Sequence, residues 1–337
     1  MSTRECAVII EKPVSNISHG SFLFTAYGSP NPTQYGIFFI TLFLYITTIL
    51  SNFAIMLVIY CDSSLHKPMY IFLFNLAING VLGSTAVCPK IMSHLLNDSV
   101  FVSIEDCLTQ ILSINIYASC AYAIFAGMAY DRYVCICKPL QYHSIMTPQR
   151  VQVLLASIYI LPISLLSVQL YLAARLPLCG HVINKLFCDN LAILQLACVN
   201  DAIANLYGVC VVLVLVVLPL FLVILSYVKI LNVSLKASVS AQRKALQTCA
   251  PHLIAFLNFS VAILFSVIYN RLSYYMPREI NILISLDFIL LPPLFHPLIY
   301  GFKTKDIRKS IQKFLRGRVS INSEIGKAEN AQHTSVT

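Results

Sequence analysis

Charge is what this chain has least of. Of its 337 residues, 11% are Asp, Glu, Lys or Arg and 58% are hydrophobic. A soluble domain carries roughly twice that share of charge, so a water-soluble enzyme is excluded as a class. Tryptophan is absent altogether. The sequence motifs of catalysis are missing too: there is no P-loop, GxSxG, HExxH or GxGxxG. No repeat relates the two halves, which counts against many transporter folds. No cysteine follows Cys249, which excludes a palmitoyl anchor on the tail.

What charge there is lies outside seven windows: 35–60, 69–89, 108–130, 151–174, 202–228, 245–270 and 280–302. Together these 170 residues hold one ionised side chain, Asp287, and the remaining 167 hold 36. Each window is 21 to 27 residues long, and about 20 suffice for a helix to cross a bilayer. Backbone groups in lipid must pair internally, and barrel strands would be about half as long, so the windows are helices. The expected fold is an all-α membrane protein, a bundle of seven transmembrane helices over 35–302. The longest connection between spans has 27 residues, too few for a soluble catalytic domain.

Orientation follows from the cations. Segments 61–68, 131–150, 229–244 and 303–337 hold 16 Lys and Arg, and the opposite set holds 7. The positive-inside tendency puts residues 1–34 outside the cell and the carboxyl end in the cytosol. The net charge of +9 is therefore mostly a cytosolic-face feature, and a nucleic-acid partner gains nothing from it. The apolar run Cys6–Ile10 is too brief for a cleavable signal, so span one is expected to act as its own insertion signal. After span seven, Ile307, Ile311, Phe314 and Leu315 recur at helical spacing among cations. This predicts an amphipathic helix over 303–316 on the inner leaflet, followed by a disordered tail over 317–337.

Cys107, Cys179, Cys188 and Cys198 share the outer, oxidising side. Four thiols there suggest two disulfides, and the sequence alone allows three pairings. A bridge from Cys107 into the outer loop would pin that loop over the bundle mouth. The alternative, a metal site with His181, lacks compact CxxC spacing, so no metal is expected. Asn16 and Asn97 head outer-side glycosylation sequons; Asn232 falls in the cytosol and Asn258 within a span, so neither is expected to carry glycan.

At the inner end of span three stands Met128-Ala-Tyr-Asp-Arg-Tyr-Val-Cys-Ile-Cys137, followed by Lys138-Pro-Leu-Gln-Tyr142. This resembles the MAYDRYVAIC-x-PL-x-Y signature of odorant receptors, a branch of the rhodopsin-like G-protein-coupled receptors. Four further motifs follow the family's order: Lys67-Pro-Met-Tyr70, Ser226-Tyr227, Lys244-Ala-Leu-Gln-Thr-Cys-Ala-Pro-His-Leu253 and Pro297-Leu-Ile-Tyr300. The outer loop around Cys179, Cys188 and Cys198 matches as well. The stretch Asn79–Thr85, with Lys90 after it, looks more like fish odorant receptors than mammalian ones. The resemblance covers about residues 35–315.

The resemblance implies a mechanism. Arg132 is held by Asp131 at rest and is then released toward a heterotrimeric G protein, with Tyr133 in the same motif. Tyr227 and Tyr300 swing inward toward Arg132. Coupling to a stimulatory G protein that raises cyclic AMP comes from the family alone. The disulfides expected with it are Cys107–Cys188 and Cys179–Cys198. Gly80 and Ala121 replace carboxylates that many relatives keep, so no high-affinity sodium site is expected. His296 replaces an Asn and is expected to serve the same hydrogen-bonding role.

Ile114 stands where amine receptors place an Asp, which argues against an amine ligand held that way. With Asn115, Ala118, Ser119, Val211, Val212 and Val267 it outlines a small, mostly apolar pocket for a small-molecule odorant. Arg271 is a candidate for attracting a ligand carboxylate. Asp287, buried in span seven, is expected to pair with Lys90, since an unpaired carboxylate there is costly. The expected function is an odorant receptor in the plasma membrane, with no enzyme activity and no cofactor. One alternative is a related receptor for a metabolite or peptide. A transporter or channel is the other, though one buried Asp makes a poor polar path.

Overall fold

The computed structural model describes residues 21–25, 27, 32–97, 100–183, 185–199, 201–272 and 278–313, the side chains of 267, 269–272 and 278–288 excepted. Strand β1 (Ser21–Phe24) precedes α1 (Pro32–Cys61) and α2 (Pro68–Leu95). Strand β2 (Val100–Ser103) leads into α3 (Ile104–Cys137), and the single turn α4 (Tyr142–Ile145) into α5 (Pro148–Ala174). After β3 (Val182–Ile183) and the short α6 (Asn190–Leu196) come α7 (Ala202–Val212) and α8 (Leu218–Ser234), joined without a break by a π turn, Leu213–Val217. Helices α9 (Val239–Leu272) and α10 (Arg278–Lys303) follow, and residues 305–313 form α11. Among the described residues, six helices are long and apolar enough to cross a membrane, with Ala202–Ser234 counted as one. Helix α10, of 26 residues, is the seventh long rod.

Local chemistry sets where the rods begin. Pro68 and Pro148 occupy first-turn positions, where the missing N–H costs nothing. Thr147, Ser103 and Asp201 cap α5, α3 and α7 by accepting backbone N–H bonds. The π turn precedes Pro219, whose ring would abut the Leu215 carbonyl in a regular helix. Widening the turn, so that the Leu218 N–H reaches the Leu213 carbonyl, relieves that contact. Pro219 is the one residue in the run 202–228 that hints at this bulge, which the sequence reading did not name.

Helix α3 runs through the middle, packed on α2, α5 and α8. Half of its apolar stretch is buried, against 17% in the Ala202–Ser234 span, which lies at the periphery. Phe39, Phe43, Leu50 and Tyr60 on α1 are exposed, as suits a helix whose solvent is lipid.

One end of the bundle is closed by a small sheet that the sequence reading did not anticipate. Strand β1 pairs antiparallel with β2 (Phe22 opposite Val102) and parallel with β3 (Phe24 opposite Ile183). Phe22, Phe24, Val100, Val102 and Ile183 are buried, and Tyr27 donates its hydroxyl to the Leu186 carbonyl. Disulfides Cys107–Cys188 and Cys179–Cys198 fasten the same region. The Gln110 side chain accepts the Cys188 N–H at 2.9 Å, a second tie between loop and helix.

Candidate functional site

Two features at opposite ends of α3 carry chemistry. Cys107 and Arg132 are 25 positions apart, roughly 37 Å along a helix axis. At the far end from the disulfides, Asp131 is fully enclosed. Its Oδ2 accepts from Arg132 Nη2 at 2.5 Å and Nε at 3.1 Å, and its Oδ1 accepts from the Tyr142 hydroxyl at 2.7 Å. Tyr142, in the turn after α3, lies outside the spans; burial and the Asp131 charge push its hydroxyl pKa upward, so it remains a donor. The sequence reading named the doublet and missed this third member, although Tyr142 stands in the same motif.

Tyr227 and Tyr300 both point into the bundle near this end, and both have other partners than Arg132. Tyr227 bonds His252 Nδ1, and His252 Nε2 lies 3.1 Å from the Phe125 carbonyl. A carbonyl only accepts, so Nε2 donates, and in a neutral ring Nδ1 takes the tyrosine proton. Tyr300 is fully buried with its hydroxyl 3.9 Å from Met128 Sδ. Tyr133 sits beneath Lys229, whose Nζ is 5.5 Å from the ring centre. His296 is buried against the Phe125 and Phe259 rings, and its Nε2 has no partner among the described residues. The hydrogen-bonding role expected of it is not made at that atom.

Helix α11 closes this end. Ile307 is fully buried rather than lipid-facing, the Tyr70 hydroxyl donates to Asp306 Oδ2 at 2.9 Å, and Ser310 Oγ donates to Asp62 Oδ2 at 2.7 Å. Phe314 and Leu315 lie outside the described residues.

Toward the disulfide end, a cavity of about 560 Å³ opens between α3, α5, α6 and α7 and the π turn. Of the expected pocket residues, Asn115, Ser119, Val211 and Val212 line it. Ile114 and Ala118 instead pack against the core cluster. Val267 and Arg271 have side chains outside the described set. Gln169, Asp189 and Asn190 also line the cavity and were missed, since an isolated amide in an apolar run or a loop carries no pattern. A larger hollow of about 760 Å³ faces outward between α3, α5 and α8. Both hollows are open at one side: the exposed Val153, Leu161 and Leu218 wall this one, and the exposed Val209, Val212 and Leu213 wall the first.

The expected Lys90–Asp287 pair falls outside the described residues on its Asp287 side. Lys90 Nζ lies 3.1 Å from Asp106 Oδ2, and the two residues sit where α2 ends and α3 begins. Gly80 is closely packed: a Cβ there would meet Pro293 Cβ at 3.2 Å and Asn52 Oδ1 at 3.4 Å. Among the described residues no group of three His, Cys, Asp or Glu could hold a metal. Asn97 is exposed, whereas Asn16 lies outside the described residues.

Comparison with known proteins agrees with this geometry. A family profile described as "Olfactory receptor" matches residues 41–318. Human olfactory receptor 52K2 is 35% identical over 269 residues, covering 79% of this chain and 86% of its own. Human olfactory receptor 52K1 is 33% identical over 271 residues (80% and 86%), and human olfactory receptor 2AT4 is 33% identical over 281 (83% and 87%). A helical bundle with this profile across most of its length is a multi-pass plasma-membrane receptor rather than an enzyme, and the chain belongs to the olfactory receptor family.

Proposed function

We propose that this receptor binds a small odorant in the cavity at its disulfide end and answers by freeing Arg132 for a heterotrimeric G protein of the stimulatory type, raising cyclic AMP. The observation that carries the reading is the division of partners at the far end. Arg132 is neutralised by a buried carboxylate that Tyr142 also holds, while Tyr227 and Tyr300 rest on His252 and Met128. A charge held in that way is costly to separate unless a new partner takes its place. Ligand that favours the rearranged bundle shifts the equilibrium by its differential affinity for the two states.

In this reading the disulfides, the sheet and the glycan sites Asn16 and Asn97 face outside, as the surplus of Lys and Arg at the other end supports. Helix α11 then lies at the cytosolic face of the bilayer, and the pocket comprises Asn115, Ser119, Val211 and Val212. A cyclic AMP reporter in cells expressing the full chain tests this. A panel of neutral volatiles, acids and amines should contain at least one activator, and Arg132→Ala should abolish its response at unchanged surface expression. A response that survives Arg132→Ala refutes the switch.

A further inference from the structure

Asn115 of α3, Gln169 of α5 and Asn190 of α6 meet in one recess of about 10 Å³, room for about one water-sized group. The same three line the 560 Å³ cavity beside it. Each carboxamide brings two N–H donors and an acceptor oxygen, yet none of the three side chains bonds another described residue. Three other amides of the bundle, by contrast, have donors engaged. Asn52 donates to the Thr48 and Pro293 carbonyls, Asn75 to Ile71 and Asn79 to Tyr117, all within 2.9 Å. All three are half-buried rather than sealed, so these amides, with no described protein partner, offer donors and acceptors around one small space to a group that arrives from outside.

Charge narrows what that group is. Asp189 is the one ionisable residue among the described lining, and it is already engaged: Lys185 pairs with Oδ2 at 2.5 Å and the Ala192 N–H with Oδ1 at 2.7 Å. A charged ligand would enter a membrane-embedded cavity with no free counter-charge among those residues. A hydrocarbon would leave the amides unpaired. We propose that the trio clamps a neutral, oxygen-bearing ligand, its hydroxyl or carbonyl oxygen in the recess and its apolar body against Val211, Val212 and Leu213. That a ligand occupies this cavity at all rests on the receptor reading above; the clamp names its chemistry.

The test uses purified full-length receptor in lipid nanodiscs and eight-carbon compounds that differ only in their polar group. The probes are 1-octanol, 2-octanone, octanoate, octylamine and octane, with binding read from the shift in melting temperature. The alcohol or the ketone should bind at least tenfold more tightly than the acid, amine or alkane. Asn115→Leu, Gln169→Leu and Asn190→Leu should each weaken it about tenfold, the scale of one lost hydrogen bond, and leave octane binding unchanged. Gln169→Asn should retain part of the affinity that Gln169→Leu loses, which separates a lost bond from a damaged fold. Tighter binding of octanoate or octylamine, neutral binding indifferent to all three leucine variants, or no binding by any probe overturns the clamp. Neutral binding that needs the amides but gives no cyclic AMP response refutes the signalling reading and leaves the clamp standing.

Discussion

Asp131 and Arg132 are adjacent in sequence, but it is Tyr142, eleven positions on, that completes their arrangement. Hydrogen bonds to charged groups contribute about 1.5–3 kcal/mol. If this one belongs to the resting arrangement alone, Tyr142→Phe shifts the balance toward the active state by about that much. Basal cyclic AMP without ligand should therefore rise about tenfold or more, and an unchanged basal level removes Tyr142 from the switch. Lys90 and Asp106 form a different kind of pair, with side chains 34% and 58% exposed. Exposed pairs contribute about 0–1 kcal/mol, so Lys90→Met should express and respond close to normally. Gly83 has a firmer constraint, because an added Cβ would fall on the Tyr117 ring. Overpacking of a tight core costs about 1–3 kcal/mol, so Gly83→Val should lower surface expression while Gly36→Ala, which meets nothing within 4 Å, should not.

At the scale of elements, α11 is held by the buried Ile307 and by the bonds Tyr70–Asp306, Ser310–Asp62 and, at 3.5 Å, Lys305–Gln247. Bonds from Ser310 and Ser64 pull the Asp62 pKa from its ordinary 3.8 to about 2. A depressed carboxylate contributes stability above its unfolded pKa and loses it as pH falls through the folded one. The tie is thus fully present from pH 5 to 8 and weakens only between about 4 and 2. Amide exchange in 305–313 should be flat across the physiological range, and Asp62→Asn should speed it at neutral pH. Asp201 shows the same direction at the start of α7, where the Ala204 and Ile203 N–H groups and Arg175 lower its carboxyl. The π turn is the other local device. It places Val211, Val212, Leu213, Leu215 and Val216 all along the cavity wall, where a regular helix would turn some of them away.

Across the whole molecule, the disulfide end is the better fastened. Cys107–Cys188 joins residues 81 positions apart, and loss of such a bridge typically costs 2–5 kcal/mol. Cys188→Ser should reduce the amount of receptor reaching the cell surface, read by an antibody to an amino-terminal tag on intact cells, more than Cys179→Ser, whose loop spans 19. The far end has no covalent tie among the described residues and depends on Asp131, Tyr142 and α11. Motion during activation is therefore expected there, where non-covalent contacts are exchanged.

Sequence alone determined the membrane class, the number of rods and the Asp131–Arg132 doublet. Lipid forbids unpaired backbone and isolated charge, so windows of bare apolar residues and the rare charges beside them are forced into view. The five ordered motifs added the family for the same stretch of chain. Tertiary structure alone decided what meets what. Lys90 meets Asp106, a partner the sequence did not suggest, because pairing follows which helix ends are neighbours in space. Residues 21–24 became a strand because β2 and the loop at Val182 offered free edges to pair with. Asn115, Gln169 and Asn190 are 54 and 21 positions apart in sequence, and only the packing of α3, α5 and α6 brings their amides to one recess, since a lone polar side chain leaves no periodic trace to read.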